Sequence, residues 1–292
     1  MMNSKLKSVL KKELKGKVIL VTGGAGSIGS ELVEKLLEYP VKSLRVLDID
    51  EHALFKLSRR TKNEKLRTLL GSVLDRDRLE MACRNVDIII HSAAIKNIEI
   101  SEFNAIETID VNINGTVNMI KTVEKNQPKK FLNISTDKAA ESSTLYGTTK
   151  QLGERLTSWA AAHIDSTKFA SVRFGNVMET RGNVFEVWDE EHKRNEPLSI
   201  TDPKMKRYFF HKFEVVEFIL ESLTLMKGGE VFVPKMKSFK INDLANKISK
   251  NHKIIGKRRG EKLDEILLTN NERKNAKELK NMWIVKPYLS QN

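Results

Sequence analysis

The sequence predicts an α/β fold: a doubly wound parallel sheet followed by a smaller C-terminal subdomain. Two observations predict it. Strand and helix patterns alternate over roughly the first 175 residues, and the first strand pattern runs directly into a glycine-rich turn that opens a helix pattern. Alternation of this kind gives parallel strands joined by right-handed crossovers, which is the Rossmann-type arrangement.

The strand patterns of the first part of the chain are short apolar runs, as expected for strands buried on both faces of a sheet. They lie at Lys17–Val21, Leu44–Asp48, Leu66–Leu70, Val86–Ile90, Phe131–Ile134 and Phe169–Phe174. Apolar residues with helical spacing fall between them, at Ser30–Leu37, Glu51–Arg60, Arg76–Ala82, Ile106–Val123 and Tyr146–Ala162. The chain therefore repeats a strand–helix unit.

The rhythm loosens after Asn176, which divides the chain into three predicted parts. Residues 1–16 form a basic N-terminal extension, residues 17–176 the Rossmann-type domain, and residues 177–292 mainly a smaller subdomain packed on the ligand end of the sheet. The last part has patterns for a helix near Glu214–Leu225, a strand at Glu230–Val233 and a helix near Ile241–Ile248. The polar residues from about Asn271 onward are expected to fray.

The composition is that of an ordinary globular protein. It is 40% hydrophobic and 30% charged over 292 residues, which is enough apolar material for a full core. No apolar run reaches the roughly 18 residues of a membrane span, and the lysine-rich N-terminus lacks the apolar stretch of a secretory signal. We therefore expect a cytoplasmic protein. The single cysteine, Cys83, excludes an internal disulfide and is expected to be a packed residue.

The formal net charge of +13 raises the question of a nucleic acid or an anionic membrane as partner. The positive charge is spread along the chain, with only mild clusters at Lys5–Lys17 and Lys253–Arg259, and no nucleic-acid motif accompanies it. We expect a solvated basic surface, no nucleic acid partner and no metal site. Part of the charge is expected to serve anionic small molecules.

A glycine-rich turn follows the first strand pattern. It reads Thr22-Gly-Gly-Ala-Gly-Ser-Ile-Gly29, with the spacing Gly23-x-x-Gly26-x-x-Gly29. Glycines let the backbone approach a diphosphate closely, and free N–H groups at the start of the following helix bind the anion. An ordinary strand-to-helix turn is the alternative, but the position between a strand and a helix favours a nicotinamide dinucleotide site.

Asp48 ends the second strand pattern, where such sites place the acidic residue that binds the adenosine ribose. Its carboxylate accepts hydrogen bonds from the 2′-hydroxyl and repels a 2′-phosphate, so we expect NAD as the cofactor. A solvated Asp at the strand end is the alternative. Arg59 or Arg60 could instead reach a 2′-phosphate, which keeps NADP possible.

Tyr146 and Lys150 are four residues apart in a helix pattern, so their side chains share one face. An ammonium near a phenol lowers the pKa of the phenol, and the Tyr can then exchange a proton with a sugar or alcohol hydroxyl during hydride transfer. The spacing alone is common. It gains weight because it follows the strand ending in Ile134-Ser-Thr-Asp-Lys138, and ligands bind at strand carboxyl ends in such sheets.

Four motifs together resemble those of the extended short-chain dehydrogenases/reductases: the glycine-rich turn, His91-Ser-Ala-Ala94, Ser135-Thr-Asp-Lys138 and Tyr146-x-x-x-Lys150. Within that superfamily the chain is most similar to the polysaccharide-biosynthesis nucleotide-sugar dehydratases, and among these to the UDP-N-acetylglucosamine 4,6-dehydratases that invert C5. The similarity runs from about Lys17 to Glu272. In the second half it rests on Val172–Val177, Thr180–Gly182, Ile200–Pro203 with Arg207, Val231–Met236 and Gly256–Lys262.

The resemblance implies a set of site residues. The catalytic residues would be Thr136, Asp137, Lys138, Tyr146 and Lys150. The cofactor would contact Gly23, Gly26, Ser27, Ile28, Gly29, Asp48, Ser72, Val73, Ala93, Lys96, Val177 and the pair Tyr146 and Lys150. The UDP-sugar would contact Lys96, Asn176, Arg181, Arg207, Arg258 and Glu261. Guanidinium groups suit its diphosphate, and a carboxylate suits its ribose hydroxyls.

The family's reaction oxidises C4 of the sugar, removes the C5 proton, eliminates the C6 hydroxyl as water and returns the hydride to C6, so the cofactor is recycled. The resemblance implies that Thr136 hydrogen-bonds the C4 oxygen, that Asp137 is the acid for the C6 hydroxyl and that Lys138 is the C5 base. A lysine must be neutral to act as a base, so burial or nearby cations should lower its pKa. A loop ion pair is the alternative reading of these two residues.

Three positions depart from the family pattern. Ser72 stands where many relatives carry an Asp on adenine, and Glu179 stands where small residues are usual. Ile49 stands where inverting relatives often carry an Arg and use NADP. The last difference agrees with the expectation of NAD.

Other functions stay open on the sequence. A UDP-sugar 4- or 5-epimerase and a C5-retaining dehydratase would share Tyr146 and Lys150, whereas Asp137 with Lys138 favours dehydration. A dinucleotide-binding regulator without catalysis is the remote alternative. Relatives in this superfamily commonly pair helices into dimers, so we expect a homo-oligomer with Ile106–Val123 and Tyr146–Ala162 as the candidate interface.

Overall fold

The computed structural model describes residues 4–289. Its strands are β1 Val18–Thr22, β2 Ser43–Asp48, β3 Leu66–Leu70, β4 Ile88–His91, β5 Lys130–Ile134, β6 Lys168–Val172, β7 Asn176–Val177, β8 Leu198–Ile200, β9 Lys206–Phe210, β10 Val231–Pro234, β11 Ser238–Lys240, β12 His252–Ile254, β13 Ala276–Glu278 and β14 Met282–Val285. Nine of them form the main sheet, in the order β13-β14-β10-β6-β5-β4-β1-β2-β3.

The helices of the described residues alternate with these strands. They are α1 Ser4–Leu14, α2 Ser27–Leu37, α3 Glu51–Thr61, α4 Arg76–Cys83, α5 Ile98–Phe103, α6 Ala105–Ile109, α7 Gly115–Asn126, α8 Leu145–His163, α9 Val184–Lys193, α10 Lys212–Leu225, α11 Ile241–Ala245 and α12 Asn270–Lys274. No helix within this part of the chain is long and apolar enough to cross a membrane.

The main sheet is parallel from β3 through β1 to β10. The central strand β1 has every residue buried, and its Val21 lies beside Val46 on one side and Ile90 on the other. The strand order reverses at β1, because β2 lies on one side of it and β4 on the other. The prediction of a doubly wound parallel sheet is therefore confirmed.

Helices cover both faces of the sheet, and each face has its own apolar cluster. One cluster joins α2 and α10 to the sheet through side chains such as Leu32, Leu36 and Ile219. The other joins α4, α7 and the sheet through Leu79, Met119 and similar residues. Since both faces are covered, the central parallel strands β1 and β4 are buried along their whole length, and the functional groups are expected at the strand ends.

The long helix predicted for Ile106–Val123 is interrupted. A π-helical turn at Asp110–Asn114 separates α6 from α7. It carries Asn112, whose side chain donates to the carbonyl of Ile95 (2.9 Å), accepts from the amide of Ile95 (2.8 Å) and donates to Thr149 Oγ1 (3.0 Å). The widened turn thus ties the loop after β4 to α8, and π-turns of this kind are frequent at functional sites.

The predicted basic extension packs as part of the fold over its described residues. Leu10 and Leu14 of α1 are fully buried in the same cluster as α10, while the lysines of the helix face solvent. Glu13 also forms an ion pair with Lys130 of β5, with 2.6 Å between Oε1 and Nζ. Residues 1–3 lie outside the described part of the chain.

The expectation that the chain frays from about Asn271 is wrong. Those residues form α12 and two strands, and β14 pairs antiparallel with β10 at the edge of the main sheet, with Phe232 opposite Ile284. The strands β10, β13 and β14 therefore extend the sheet of the first part of the chain. Residues 290–292 lie outside the described residues.

The rest of the second half forms a small lobe beside the carboxyl ends of the parallel strands. The short sheets β11-β9-β7 and β12-β8 hold it together. Its apolar cluster surrounds Trp188 of α9, which is fully buried and donates its indole N–H to the carbonyl of Ser199 at 2.8 Å.

Candidate active site

One cavity of about 860 Å³ lies between the main sheet and the small lobe. Its walls include the glycine-rich turn after β1, the ends of β2 to β6, the start of α8, and the segments around residues 181, 207 and 258–265. That volume is within the range of sites for small molecules and cofactors. All the predicted site residues line it except Asp137.

The glycine-rich turn forms one end of this cavity. Gly23 has a φ of +65°, and a Cβ there would lie 2.7 Å from the backbone of Ala93. A Cβ on Gly29 would lie 2.4 Å from the carbonyl oxygen of Gly23. Gly26 provides no side-chain cap for α2, so the first N–H groups of that helix are available to an anion. The turn therefore fits the diphosphate of a dinucleotide.

Asp48 is held against this turn. Its Oδ2 accepts a hydrogen bond from the amide of Ala25 at 2.9 Å, and its Oδ1 accepts one from the amide of Asp50 at 3.1 Å. Both bonds fix the carboxylate at the end of β2, in the wall of the cavity. This is where a ribose hydroxyl would meet it. Arg60, one of the two arginines predicted as alternative contacts for a 2′-phosphate, is paired with Glu34 instead.

Tyr146 and Lys150 lie in the first turns of α8. Thr144 caps this helix by accepting a hydrogen bond from the amide of Gly147 at 3.1 Å, which sets the start of the helix at the cavity. Burial lowers the pKa of Lys150 to about 8, although Glu154 acts in the opposite direction. Burial raises the pKa of Tyr146, and this outweighs the lowering by Lys138 and by a hydrogen bond with Thr136. The predicted net lowering of the Tyr146 pKa is therefore wrong for the protein alone.

Asp137 and Lys138 form a buried pair directly after β5. Asp137 Oδ1 accepts hydrogen bonds from Lys138 Nζ and from Thr136 Oγ1, each at 3.0 Å. The carboxylate of Asp137 is almost completely buried, and its Oδ2 has no hydrogen-bond partner among the described residues. Lys138 lines the cavity, and Asp137 lies behind it.

The pKa of Lys138 is raised, contrary to the prediction. Burial by itself would lower it, but the carboxylates of Asp137 and then Glu265 outweigh burial. The prediction failed because it counted burial and cations, while the groups that face this lysine are two acids and the phenol of Tyr146. In the protein alone, Lys138 is an ammonium.

Glu265 is a cavity residue that the sequence analysis missed. Only 8% of it is exposed, and burial raises its pKa against the opposing effect of Lys138. It lies in an irregular segment between residues 255 and 269, where no periodic pattern or motif marks an acid as buried. Only the packing of that segment against Arg207 and Lys138 brings Glu265 to the site.

The residues predicted for the substrate fall into two groups. In the first, Arg207 is buried and donates to the carbonyls of Lys206, Leu263 and Lys262 and to Glu261 Oε1 (3.3 Å). Arg258 binds Glu99 with 2.5 Å between Nε and Oε1. Arg207 thus fixes the segment that carries Glu261 and Glu265, at the end of the cavity in the small lobe.

Arg181 and Lys96 form the second group, nearer the glycine-rich turn. The backbone amide of Arg181 donates to Ser27 Oγ at 3.1 Å, and Lys96 Nζ donates to the carbonyl of Arg181 at 2.9 Å. The guanidinium of Arg181 lies 3.8 Å from a carboxylate oxygen of Asp50, after β2. Arg181 therefore contacts residues around the glycine-rich turn and β2, whereas Arg207 and Arg258 contact Glu261 and Glu99.

Comparison with known proteins agrees with this arrangement. The family model described as polysaccharide biosynthesis protein matches residues 19–287. The chain belongs to this family. The predicted resemblance is thereby confirmed.

The relatives carry several names. A UDP-N-acetylglucosamine 4,6-dehydratase (inverting) of Campylobacter jejuni is 37% identical over 94% of this chain and 84% of its own length. A protein of Methanocaldococcus jannaschii named an uncharacterized membrane protein is 42% identical over 94% and 87%. A UDP-glucose 4-epimerase of Rickettsia bellii is 32% identical over 91% and 82%. Among solved structures, Pen from Bacillus thuringiensis superimposes with a TM-score of 0.91 at 34% identity, over 95% of this chain and 89% of that one.

Proposed function

We propose that this protein is a nucleotide-sugar 4,6-dehydratase. Its substrate is UDP-N-acetylglucosamine, its recycled cofactor is NAD, and it inverts C5, giving a UDP-4-keto-6-deoxy-hexosamine for surface polysaccharide or glycoprotein glycans. The observation that carries the proposal is the pair Asp137 and Lys138, which joins Tyr146 at the carboxyl end of β5 with Lys138 facing the cavity. The inverting dehydratases among the relatives support the choice of substrate.

The cofactor assignment rests on the fit of the glycine-rich turn and Asp48. When bound, NAD would supply the hydride acceptor for C4 and the hydride donor for C6. The uncapped start of α2 would hold its diphosphate, and the fixed carboxylate of Asp48 would accept hydrogen bonds from its adenosine ribose. The pairing of Arg60 with Glu34 leaves that arginine engaged elsewhere, which favours NAD over NADP.

Tyr146 takes the proton of the C4 hydroxyl in this proposal. Its phenol hydrogen-bonds with Thr136, so both groups can address the C4 oxygen. Lys138, on the same side, lowers the pKa of the phenol and so favours the phenolate that accepts the proton.

The raised pKa of Lys138 adds one step to the roles that the family resemblance implies. Lys138 transfers its proton to Asp137, whose Oδ1 is 3.0 Å from Nζ, and becomes the neutral amine that takes the C5 proton. The same transfer makes Asp137 an acid. Thr136, which lines the cavity and bonds to the same oxygen, relays that proton to the departing C6 hydroxyl. One proton shift thus provides both the base and the acid.

Proton NMR in deuterated water with UDP-N-acetylglucosamine and catalytic NAD, then NADP, tests the proposal. We expect a new C6 methyl signal, deuterium at C5 and L-arabino couplings. In Lys138→Ala the methyl signal should appear at least about 100-fold more slowly, since a positioned proton-transfer group contributes on this scale. Lys125→Ala, which removes an exposed lysine paired with Glu80 outside the cavity, should not slow it. No methyl signal with either cofactor would reject this substrate.

A UDP-sugar 4-epimerase is the second candidate, and the relative from Rickettsia bellii favours it. Tyr146 and Lys150 would serve both reactions. The same NMR experiment separates them, because an epimerase changes the signals at C4 and produces no methyl group. A methyl product with D-xylo couplings would instead identify a dehydratase that retains C5.

A further inference from the structure

The segment of residues 179–183 bridges the two walls of the cavity at its cofactor end. Arg181 makes both contacts through its backbone: its amide donates to Ser27 at the start of α2, and its carbonyl accepts from Lys96 after β4. The glycine-rich turn carries Ser27, so the segment lies across the place where a bound diphosphate would lie.

Two residues anchor the ends of this segment. Glu179 has a φ of +59°, and its carboxylate accepts from the amide of Lys212 at 3.2 Å and lies 2.7 Å from His211 Nδ1, at the start of α10. Gly182 has a φ of +70°, and its amide donates to Glu186 of α9. Glu179, which stands where small residues are usual in the family, thus anchors one end of the segment. Arg181, between the two anchors, is the residue that spans the cavity.

The side chain of Arg181 points toward the strand-end carboxylates. It is 67% exposed, and its guanidinium is 3.8 Å from Asp50, two residues after Asp48. Among the described residues, its hydrogen bonds and ion pair go to Ser27, Lys96 and Asp50 and not to the segment around Arg207, Arg258 and Glu261. A guanidinium in this position can form a charge-assisted hydrogen bond with a phosphate or ribose of the dinucleotide.

We propose that residues 179–183 form a clasp over the dinucleotide and that Arg181 binds this cofactor, not the nucleotide sugar. The proposal rests on the proposed function for the identity of the cofactor. Release of the dinucleotide requires the contacts of Arg181 with Ser27 and Lys96 to open. Such retention suits a reaction in which the hydride leaves C4 and returns to C6, because the cofactor need not be exchanged between turnovers.

Binding measurements on the full chain test this without turnover. NADH binding and release are followed by its fluorescence, and UDP binding by calorimetry. Arg181→Ala should weaken NADH binding by roughly 10-fold or more, as expected for one charge-assisted hydrogen bond, and leave the UDP affinity within about twofold. The matched control is Arg194→Ala, an exposed arginine after α9 that pairs with Glu196 outside the cavity and should change neither.

Glu179→Ala tests the clasp itself, because it frees one anchor and leaves Arg181 in place. NADH should then dissociate several-fold faster, with thermal melting confirming that the variant is folded. Weaker UDP binding with unchanged NADH binding in Arg181→Ala would place this arginine on the substrate. An unchanged rate of NADH release in Glu179→Ala would reject the proposal that residues 179–183 act as a clasp. A wild-type protein that binds NADH but turns over no sugar would reject the proposed reaction and leave the clasp standing.

Discussion

At the scale of single residues, the site depends on how burial competes with neighbouring charges. Lys150 is buried without a carboxylate strong enough to compensate, so its pKa falls, whereas Lys138 is buried beside two carboxylates and its pKa rises. Two lysines twelve positions apart thus have opposite shifts. The helical spacing predicts Tyr146 and Lys150 as site residues, but the sign of a pKa shift depends on neighbours such as Glu265 that only the fold provides.

The pKa of about 8 for Lys150 predicts an alkaline limit of activity. If the ammonium supports the proton transfer at Tyr146, turnover should fall as the pH rises through about 8. Lys150→Arg keeps the charge up to about pH 12, so its remaining activity should show no such decline below about pH 10. The pH–rate profiles of wild type, Lys150→Arg and the exposed control Lys125→Arg check this. Identical profiles for all three would refute a role for the charge.

The raised pKa of Glu265 predicts that this acid lowers the stability of the fold when ionised. A carboxyl group whose folded pKa is raised stabilises the fold only below its unfolded pKa, and this contribution is lost as the pH rises through the folded pKa. Glu265→Gln should therefore have a higher Tm than wild type near pH 8, and the difference should shrink as the pH is lowered through the carboxyl range. Thermal melts across that range, with the exposed Glu141→Gln as control, measure it. A lower Tm at every pH would contradict the argument.

At the scale of elements, the buried arginine after β6 holds the last part of the chain in place. Arg173 is 1% exposed and forms paired hydrogen bonds with Glu154 of α8 and with Glu272 of α12. The carboxylate of Glu272 also accepts hydrogen bonds from the backbone amide of Thr269, at the start of α12, and from the hydroxyl of Tyr288. This network joins α8, the helix that carries Tyr146 and Lys150, to the segment that leads into β13 and β14.

Glu272→Gln should be destabilising, because it leaves a buried guanidinium with one carboxylate instead of two. We expect a loss of about 3 kcal/mol in the free energy of unfolding, as for other buried ion pairs that lose one partner. Glu278→Gln removes an exposed partner of Lys235 and should cost less than about 0.5 kcal/mol. Urea denaturation of both variants gives the comparison. Equal losses would mean that the network does not hold the C-terminal segment.

The alternating strands and helices were predictable because each is encoded by a local apolar pattern. The edge strand β13 was not predicted, since it includes the exposed polar residues Lys277 and Glu278, and its neighbour β14 is only four residues long in a polar stretch of the chain. Their pairing is set by the distant strand β10. Glu265 was missed for the same reason, because its burial comes from packing against Arg207 and not from its own neighbours in the chain.

At the scale of the whole molecule, the helices predicted to pair with a second copy expose apolar side chains. Ile106 is 73% exposed, and Leu152 and Trp159 of α8 are about half exposed. Phe103 of the neighbouring helix α5, outside the predicted ranges, is 89% exposed. The helices α5 and α6 both pack against α8, so these side chains belong to one group of neighbouring helices. A symmetric dimer through this group would bury them.

Phe103→Glu should therefore shift the protein toward the monomer. Light scattering coupled to size exclusion measures the mass, and Phe55→Glu is the matched control, because Phe55 is 60% exposed on α3. We expect the wild type and the control to run as dimers or larger, with the variant smaller. A wild-type protein with the mass of a monomer would contradict the prediction of a homo-oligomer.

The spacing of the partners of Arg173 bears on synthesis at the ribosome. Glu154 lies 19 residues before it, but Glu272 lies 99 residues after it. A nascent chain that has already produced the strands β1 to β6 therefore lacks the second carboxylate until 99 further residues have been added after Arg173. Until then the guanidinium has half of its final neutralising charge. The cavity gains its remaining walls in the same interval, because its lining continues as far as Glu265.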